Sequence, residues 1–257
     1  MRFLEQGKRL LTDFFFPWGT YCVCCGNFID KHRTYCLCDH CIRQIRWGNV
    51  QIPVDSLKEN QFTGDGAKRI REEGVPIDSV RACMQYGLYS RRLIFELKYN
   101  GHSYMARILA ELIFDRIQKD NAAEELFQAA AIIPVPVHRD RQRTRGFNQA
   151  EKIALYLGKQ MRIPVLKNGL KRGTATLAQR SVTAMDRLSN LEQVFSLGDK
   201  EKIEAFVKGK DVILLDDIFT TGATAIQCGW VLKEAGANKV HVLCIASGND
   251  GAEGFFT

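Results

Sequence analysis

Apolar residues recur along the chain in two periods, and the changes between them mark out the predicted elements. Near the start, Phe3, Leu4, Leu10, Leu11, Phe14 and Phe15 fall at roughly helical spacing, which predicts an amphipathic helix over residues 3–16 packed on the segment after it. From residue 80 onward, apolar runs alternate with amphipathic stretches, the pattern of βαβ units on a mainly parallel sheet. The predicted strands are Ala82–Tyr86, Ala130–Val135, Pro164–Leu166, Val212–Leu215 and Val240–Ala246. The predicted helices are Tyr89–Leu97, Tyr104–Lys119, Asn148–Met161 and Thr224–Ala235. Between Gly48 and Ile77, Pro53, Gly64, Gly66, Gly74 and Pro76 break up mixed charges with little period, so this stretch reads as a linker or irregular insertion. The expected organisation is a helix and cysteine module over 1–48, a linker over 49–79 and an α/β domain over 80–257.

A chain of 257 residues that is 46% apolar can bury a substantial core, which excludes a disordered or fibrous protein. Asp13 and Pro17 interrupt the first apolar run before it reaches secretory or spanning length. The expectation is a cytoplasmic protein with no membrane insertion. Nine cysteines, six of them between Cys22 and Cys41 and none preceded by an export signal, favour metal binding over disulfides.

Cys22-x-x-Cys25 and Cys38-x-x-Cys41 are two knuckles separated by twelve residues. Such pairs let four thiolates meet one tetrahedral ion, and zinc is the usual occupant of a closed, structural sulfur site. Gly26 favours the tight turn after Cys25. Cys24 and Cys36 could each replace a neighbour with a small shift in register, and His32 and His40 are further candidate ligands. Few apolar residues lie here to build a core without metal. Cys83, Cys228 and Cys244 lie in apolar surroundings and read as buried packing residues.

The formal charge of +7 is unevenly spread, because His138 to Arg187 holds twelve Lys or Arg against Asp140, Glu151 and Asp186. Such a field attracts a polyanion, whether nucleotide or nucleic acid.

The most specific chemistry begins at Val212-Ile213-Leu214-Leu215, an aliphatic run flanked by Lys210-Asp211 and Asp216-Asp217. A run apolar on both faces belongs to a central parallel strand, and such sheets bind ligands outside the carboxyl ends of their strands. Asp216 and Asp217 therefore fall at the mouth of a site. Ile218 and Phe219 come next, then Thr220-Thr221-Gly222-Ala223-Thr224, then the helical pattern of Ile226, Trp230, Val231 and Leu232. Small and hydroxylated residues there let backbone amides close around a phosphate, with threonine hydroxyls as further donors and a helix dipole favouring the anion. The carboxylates can accept hydrogen bonds from vicinal ribose hydroxyls and favour positive charge at an anomeric carbon as pyrophosphate leaves. An ordinary strand-turn-helix with an N-cap threonine needs only part of this nine-residue string, which also lacks a P-loop lysine. The string resembles the signature of type I phosphoribosyltransferases.

Two basic segments accompany it. Ile133-Pro134-Val135-Pro136-Val137 closes a second strand, and its prolines force the chain out of the sheet. His138-Arg139-Asp140-Arg141-Gln142-Arg143-Thr144-Arg145 comes directly after, and its arginines could grip pyrophosphate oxygens. Lys171 to Arg180, running on toward Arg187, has the composition of a mobile lid or of an exposed basic loop.

Leu97-Lys98-Tyr99, Pro134-Val135-Pro136, Arg145-Gly146-Phe147-Asn148-Gln149, Gln179, Arg187 to Asn190 and Asp216 to Thr224 occur in the order typical of the ComF family of competence-associated proteins. The resemblance covers nearly the whole chain, cysteine module included, with Gly48 to Ile77 departing from a compact layout. It implies a type I phosphoribosyltransferase-like mainly parallel sheet flanked by helices, and binding of phosphoribosyl pyrophosphate with magnesium. It also implies a part in DNA uptake during natural transformation, with single-stranded DNA and a competence helicase as candidate partners. Asp216 and Asp217 would hold ribose, as the catalytic pair, and Thr220, Thr221, Gly222, Ala223 and Thr224 would hold the 5′-phosphate. Val135, Pro136 and Arg145 would supply the pyrophosphate side, and Lys98 is a further candidate phosphate contact. No residue identifies the acceptor of a phosphoribosyl transfer. The alternative is a binding module whose basic face and zinc module contact single-stranded DNA or a partner protein, with a sensory or vestigial sugar-phosphate site. Phe147, Tyr35 and Trp47 are its candidate stacking residues.

Overall fold

A computed structural model describes residues 20–30, 34–57, 65–99, 104–120, 123–138, 142–144, 146–173 and 194–248. The helix expected over 3–16 lies outside these residues. In chain order the regular elements are α1 (Asp39–Gln44), β1 (Trp47–Ile52), α2 (Asp65–Glu73), β2 (Ser79–Gln85), α3 (Leu88–Tyr99), α4 (Tyr104–Gln118), α5 (Glu124–Phe127) and β3 (Ala131–Pro134). They continue with α6 (Gln149–Met161), β4 (Leu170–Arg172), β5 (Phe195–Leu197), α7 (Lys200–Val207), β6 (Val212–Phe219), α8 (Ala223–Glu234) and β7 (Val240–Ser247).

Strands that are apolar on both faces must be covered on both faces, and the sheet meets that demand with two cores. Its order is β1-β2-β7-β6-β3. The pairs β2–β7, β7–β6 and β6–β3 are parallel, and β1 runs antiparallel to β2 at one edge. One face packs on α3, α4, α5 and α6, through residues such as Leu97, Leu109, Leu126 and Ile153. The other packs on α2, α7, α8 and the β4–β5 hairpin, through Ile70, Val207, Ile226 and Phe195. A mainly parallel sheet flanked by helices and preceded by a four-cysteine cluster is the expected fold class. Among the described residues no helix is long and apolar enough to cross a membrane.

Several boundaries differ from expectation for identifiable reasons. β6 does not stop at Leu215 but continues through both aspartates, because β7 goes on pairing with it as far as Phe219 and Ser247. β2 begins at Ser79, where two polar residues, Ser79 and Arg81, are buried and so hide the strand pattern. Ser79 Oγ lies 2.8 Å from His241 Nδ1, and the Arg81 guanidinium meets Asp120 and Glu125 at 3.4 and 3.2 Å. Partners of this kind make such burial tolerable. Pro164–Leu166 provides only a single bridge, from Val165 to Ile132. The stretch over 49–79 holds most of β1, a 3-10 turn at Val54–Ser56 and α2. A register break between Trp47 and Val50 removes the alternation by which β1 could have been recognised.

Helix α6 contains a glycine that packing requires. Gly158 is buried, and a Cβ there would sit 2.6 Å from Val165 Cγ2 and 2.7 Å from the Ile163 carbonyl. Gly158→Ala is therefore expected to lower stability in urea unfolding by about 1–3 kcal/mol, although alanine is the better helix former.

Candidate functional site

The carboxyl end of β6 carries the acidic pair. Val212 to Leu215 are fully buried, and the next residues, Asp216 and Asp217, are half-buried. Asp217 N donates to Asp216 Oδ1 at 2.8 Å, which folds the first carboxylate back along the strand. Burial first, and then the Asp217 charge, push the Asp216 carboxyl up from 3.8 to about 7, and Lys98 and Arg172 partly oppose the rise. Arg172 ends β4, so the base of the β4–β5 hairpin lies within electrostatic reach of the site. The lid or exposed basic loop expected from Lys171 to Arg180 and on toward Arg187 falls mostly on residues 174–193, outside the described structure.

Asp217 is paired. The Lys98 ammonium, from the last turn of α3, forms an ion pair with Asp217 Oδ2, and both side chains are largely shielded, at 18% and 22% exposure. Lys98 thus reaches the acidic pair directly.

Beyond Phe219 the chain turns tightly into α8. Gly222 has φ +79°, in the left-handed region, and a Cβ there would meet Phe219 Cζ at 2.7 Å and Leu57 Cδ2 at 3.4 Å. Glycine is needed both for the conformation and for the space. Thr220 and Thr221 are exposed, Ala223 and Thr224 half-buried, and Thr221 Oγ1 accepts from Ala223 N at 3.4 Å. The first-turn N–H groups of α8 lack intrahelical acceptors, and the Thr221 hydroxyl serves the first of them. Leu57 backs this turn, a contribution from the stretch to which sequence reasoning assigned no role.

β3 stops short of β6. It pairs as far as Pro134 with Leu215, and Val135 N then donates to Leu215 O at 2.9 Å before the chain leaves the sheet. Asn148 fixes this exit. Its Nδ2 donates to Val135 O at 2.9 Å while its Oδ1 caps α6 by accepting from Glu151 N at 3.4 Å. Val135 is buried and Pro136 half-buried beside the acidic pair's strand, whereas Arg139, Arg141 and Arg145 lie outside the described residues. The positioning role of Asn148 was missed, although its place before an apolar helical run is an N-cap signal.

The cysteine module makes a second centre. Sγ atoms of Cys22, Cys25, Cys38 and Cys41 all lie within 4.8 Å of one another, with Cys25 and Cys38 at 3.6 Å. Four thiolates on one tetrahedral zinc stand about 3.8 Å apart, so the donor set fits that ion. Gly26 takes φ +74°, and Cys22 N donates to Asn27 O to close the first knuckle. Cys24 and Cys36 turn away into the core shared with α3 and α4, and burial pushes the Cys24 thiol up to about 12. His40 is exposed on α1, and His32 lies outside the described residues. Of the expected stacking residues, Tyr35 OH donates to Asp115, Trp47 Nε1 donates to Ile42 O, and Phe147 is half-buried against the core.

The acidic pair carries a pH signature. An aspartate whose carboxyl ionises near 7 when folded and near 3.8 when unfolded destabilises the fold progressively as pH rises between those values. Asp216→Asn removes the penalty and keeps the acceptor for Asp217 N. Its gain in stability over the parent is expected to be negligible near pH 4 and to reach about 2 kcal/mol above pH 7, read from urea titrations across that range.

No family model matches the chain. Competence protein F of Haemophilus influenzae is 33% identical over 154 residues, 60% of this chain and 66% of that protein. DNA utilization protein YhgH of Escherichia coli O157:H7 is 29% identical over 153 residues, 60% of this chain and 65% of that protein. The chain thus spans slightly less than two thirds of the length of these two relatives. Competence protein ComFC of Streptococcus pneumoniae is 24% identical over 241 residues, 87% of this chain and 98% of that protein. Among solved structures, a glutamine phosphoribosylpyrophosphate amidotransferase from B. subtilis complexed with ADP and GMP aligns with 54% of this chain and 25% of its own, at TM-score 0.37 and 21% identity. Competence protein F, ComFC and DNA utilization protein YhgH are thus homologues of this chain.

Proposed function

We propose that this protein binds phosphoribosyl pyrophosphate with magnesium at the β6–α8 junction, holds one structural zinc in its four-thiolate module, and acts in DNA uptake during natural transformation. The observation that carries the reading is the acidic pair that directly follows the four fully buried residues of a parallel strand, succeeded within five residues by a left-handed glycine that opens a helix. Asp216 and Asp217 accept hydrogen bonds from the ribose 2′- and 3′-hydroxyls. Thr220 to Thr224 hold the 5′-phosphate by backbone amides and hydroxyls. Val135, Pro136 and Arg145 bound the pyrophosphate side, and Lys98 stands between that side and Asp217. The pyrophosphate's charge would be neutralised by magnesium that arrives with it.

In a transfer reaction, the bond from the anomeric carbon to the pyrophosphate oxygen breaks and its electron pair leaves with pyrophosphate. An acceptor lone pair forms the new bond, and the acidic pair stabilises the positive charge that develops in between. A second reading makes the protein a non-catalytic binder of single-stranded DNA. It is favoured by Phe28, which is 73% exposed on the metal knuckle and edge-to-face with Tyr21 at 6.0 Å.

Calorimetry decides between these. With magnesium, phosphoribosyl pyrophosphate is expected to bind the parent and to bind Asp217→Ala at least about 30-fold more weakly, the loss of a charge-assisted pair of hydrogen bonds. Absence of heat with the parent overturns the donor reading. Binding without turnover against a panel of bases and amines, together with salt-sensitive retention of single-stranded DNA that Asp217→Ala leaves intact, favours the second. Metal analysis of purified protein is expected to give one zinc per chain, lost in Cys22→Ser and Cys38→Ser and kept in Cys24→Ser.

A further inference from the structure

We infer that the four-thiolate site and the sugar-phosphate site are thermodynamically linked through α3, with Lys98 as the positioning residue that carries the link. This rests on reading the β6–α8 junction as the donor site.

Helix α3 is held at its two ends by the two sites. At the amino end, Cys24 Sγ lies 4.0 Å from the carbonyl oxygen of Tyr89. Cys24 stands between Cys22 and Cys25 in one knuckle, so whatever fixes those two sulfurs fixes it as well. At the carboxyl end, Lys98 pairs with Asp217. From Tyr89 to Lys98 the helix is a rod about 14 Å long. Leu93, Ile94 and Leu97 bury that rod in one continuous core with Cys22, Cys24, Cys36, Leu37 and Cys41. A close-packed core does not deform continuously, so the knuckles cannot loosen without changing where α3 sits. A second strut runs alongside, since Tyr35, between the two knuckles, donates to Asp115 on α4.

Four thiolates drawn onto one ion hold the knuckles in a single arrangement, and through Cys24 they hold the start of α3. Lys98 then meets Asp217 in a fixed geometry and sets the orientation of the carboxylate that faces the ribose hydroxyls. When the ion is lost, α3 loses one of its two anchors and Lys98 its fixed place. Linkage is reciprocal: if the ion favours the α3 position that suits the donor, the donor must tighten the ion by the same factor.

The test uses the zinc-loaded full chain and needs no metal-free state. Zinc release to excess 4-(2-pyridylazo)resorcinol is monitored by colour, with and without saturating phosphoribosyl pyrophosphate and magnesium. The donor is expected to slow release about fivefold or more in the parent, less than about twofold in Lys98→Met, and as in the parent in Lys98→Arg, which keeps the charge. Unchanged release from a parent that binds the donor by calorimetry overturns the link and leaves the donor reading standing. Equal slowing in the parent and Lys98→Met overturns the role of Lys98. A parent that gives no binding heat removes both readings together.

Discussion

Two adjacent carboxylates at the end of a fully buried strand repel each other in a place where water cannot screen them well, and most of the surrounding architecture answers that constraint. Val212 to Leu215 draw the strand into the middle of the sheet, and Asp216 and Asp217 are carried to its rim with it. One carboxyl responds by holding its proton to about pH 7, and the other is met by an ammonium from a different layer. Stability alone would select neither residue. In the proposed function, the pair supplies oxygen acceptors for a sugar at that spot.

Much of this could be read from the chain, and the parts that could not have a common cause. Val212 to Leu215 and Val240 to Ala246 announce themselves because strands buried on both faces are apolar throughout, and 149–161 because its buried residues keep to one helical stripe. The nine-residue string from Asp216 placed a strand end, a tight turn and a helix start correctly to within a few residues. What escaped depends on contacts between residues far apart in the chain. The start of β2 is polar in sequence and buried in space, because Asp120, Glu125 and His241 satisfy Ser79 and Arg81. The strands β4 and β5 are three residues each and find one another only through the fold. Lys98 resembles any lysine at a helix end until α3 is laid against β6. Among the six cysteines, by contrast, the regular C-x-x-C spacing picks out the same four whose sulfurs cluster, while Cys24 and Cys36 turn into the core.

The cysteine module is better described as part of the main core than as an appendage. Its buried residues join those of α3 and α4 in one cluster, and Val23 N bonds Cys36 O to tie its two halves together. A module with so few apolar residues of its own gains a foundation this way, and the sheet gains a cover for the helices on that face.

The unequal lengths of β3 and β6 leave a step in the rim. β6 runs four residues past Leu215, which pairs with Pro134 at the end of β3, while β7 keeps pace with it to the end. Among the described residues, strand pairing therefore flanks the ledge on the β7 side and stops short of it on the β3 side. Both aspartates thus stand above the last rung that β6 shares with β3, on the one tread of this staircase that β7 alone continues to pair.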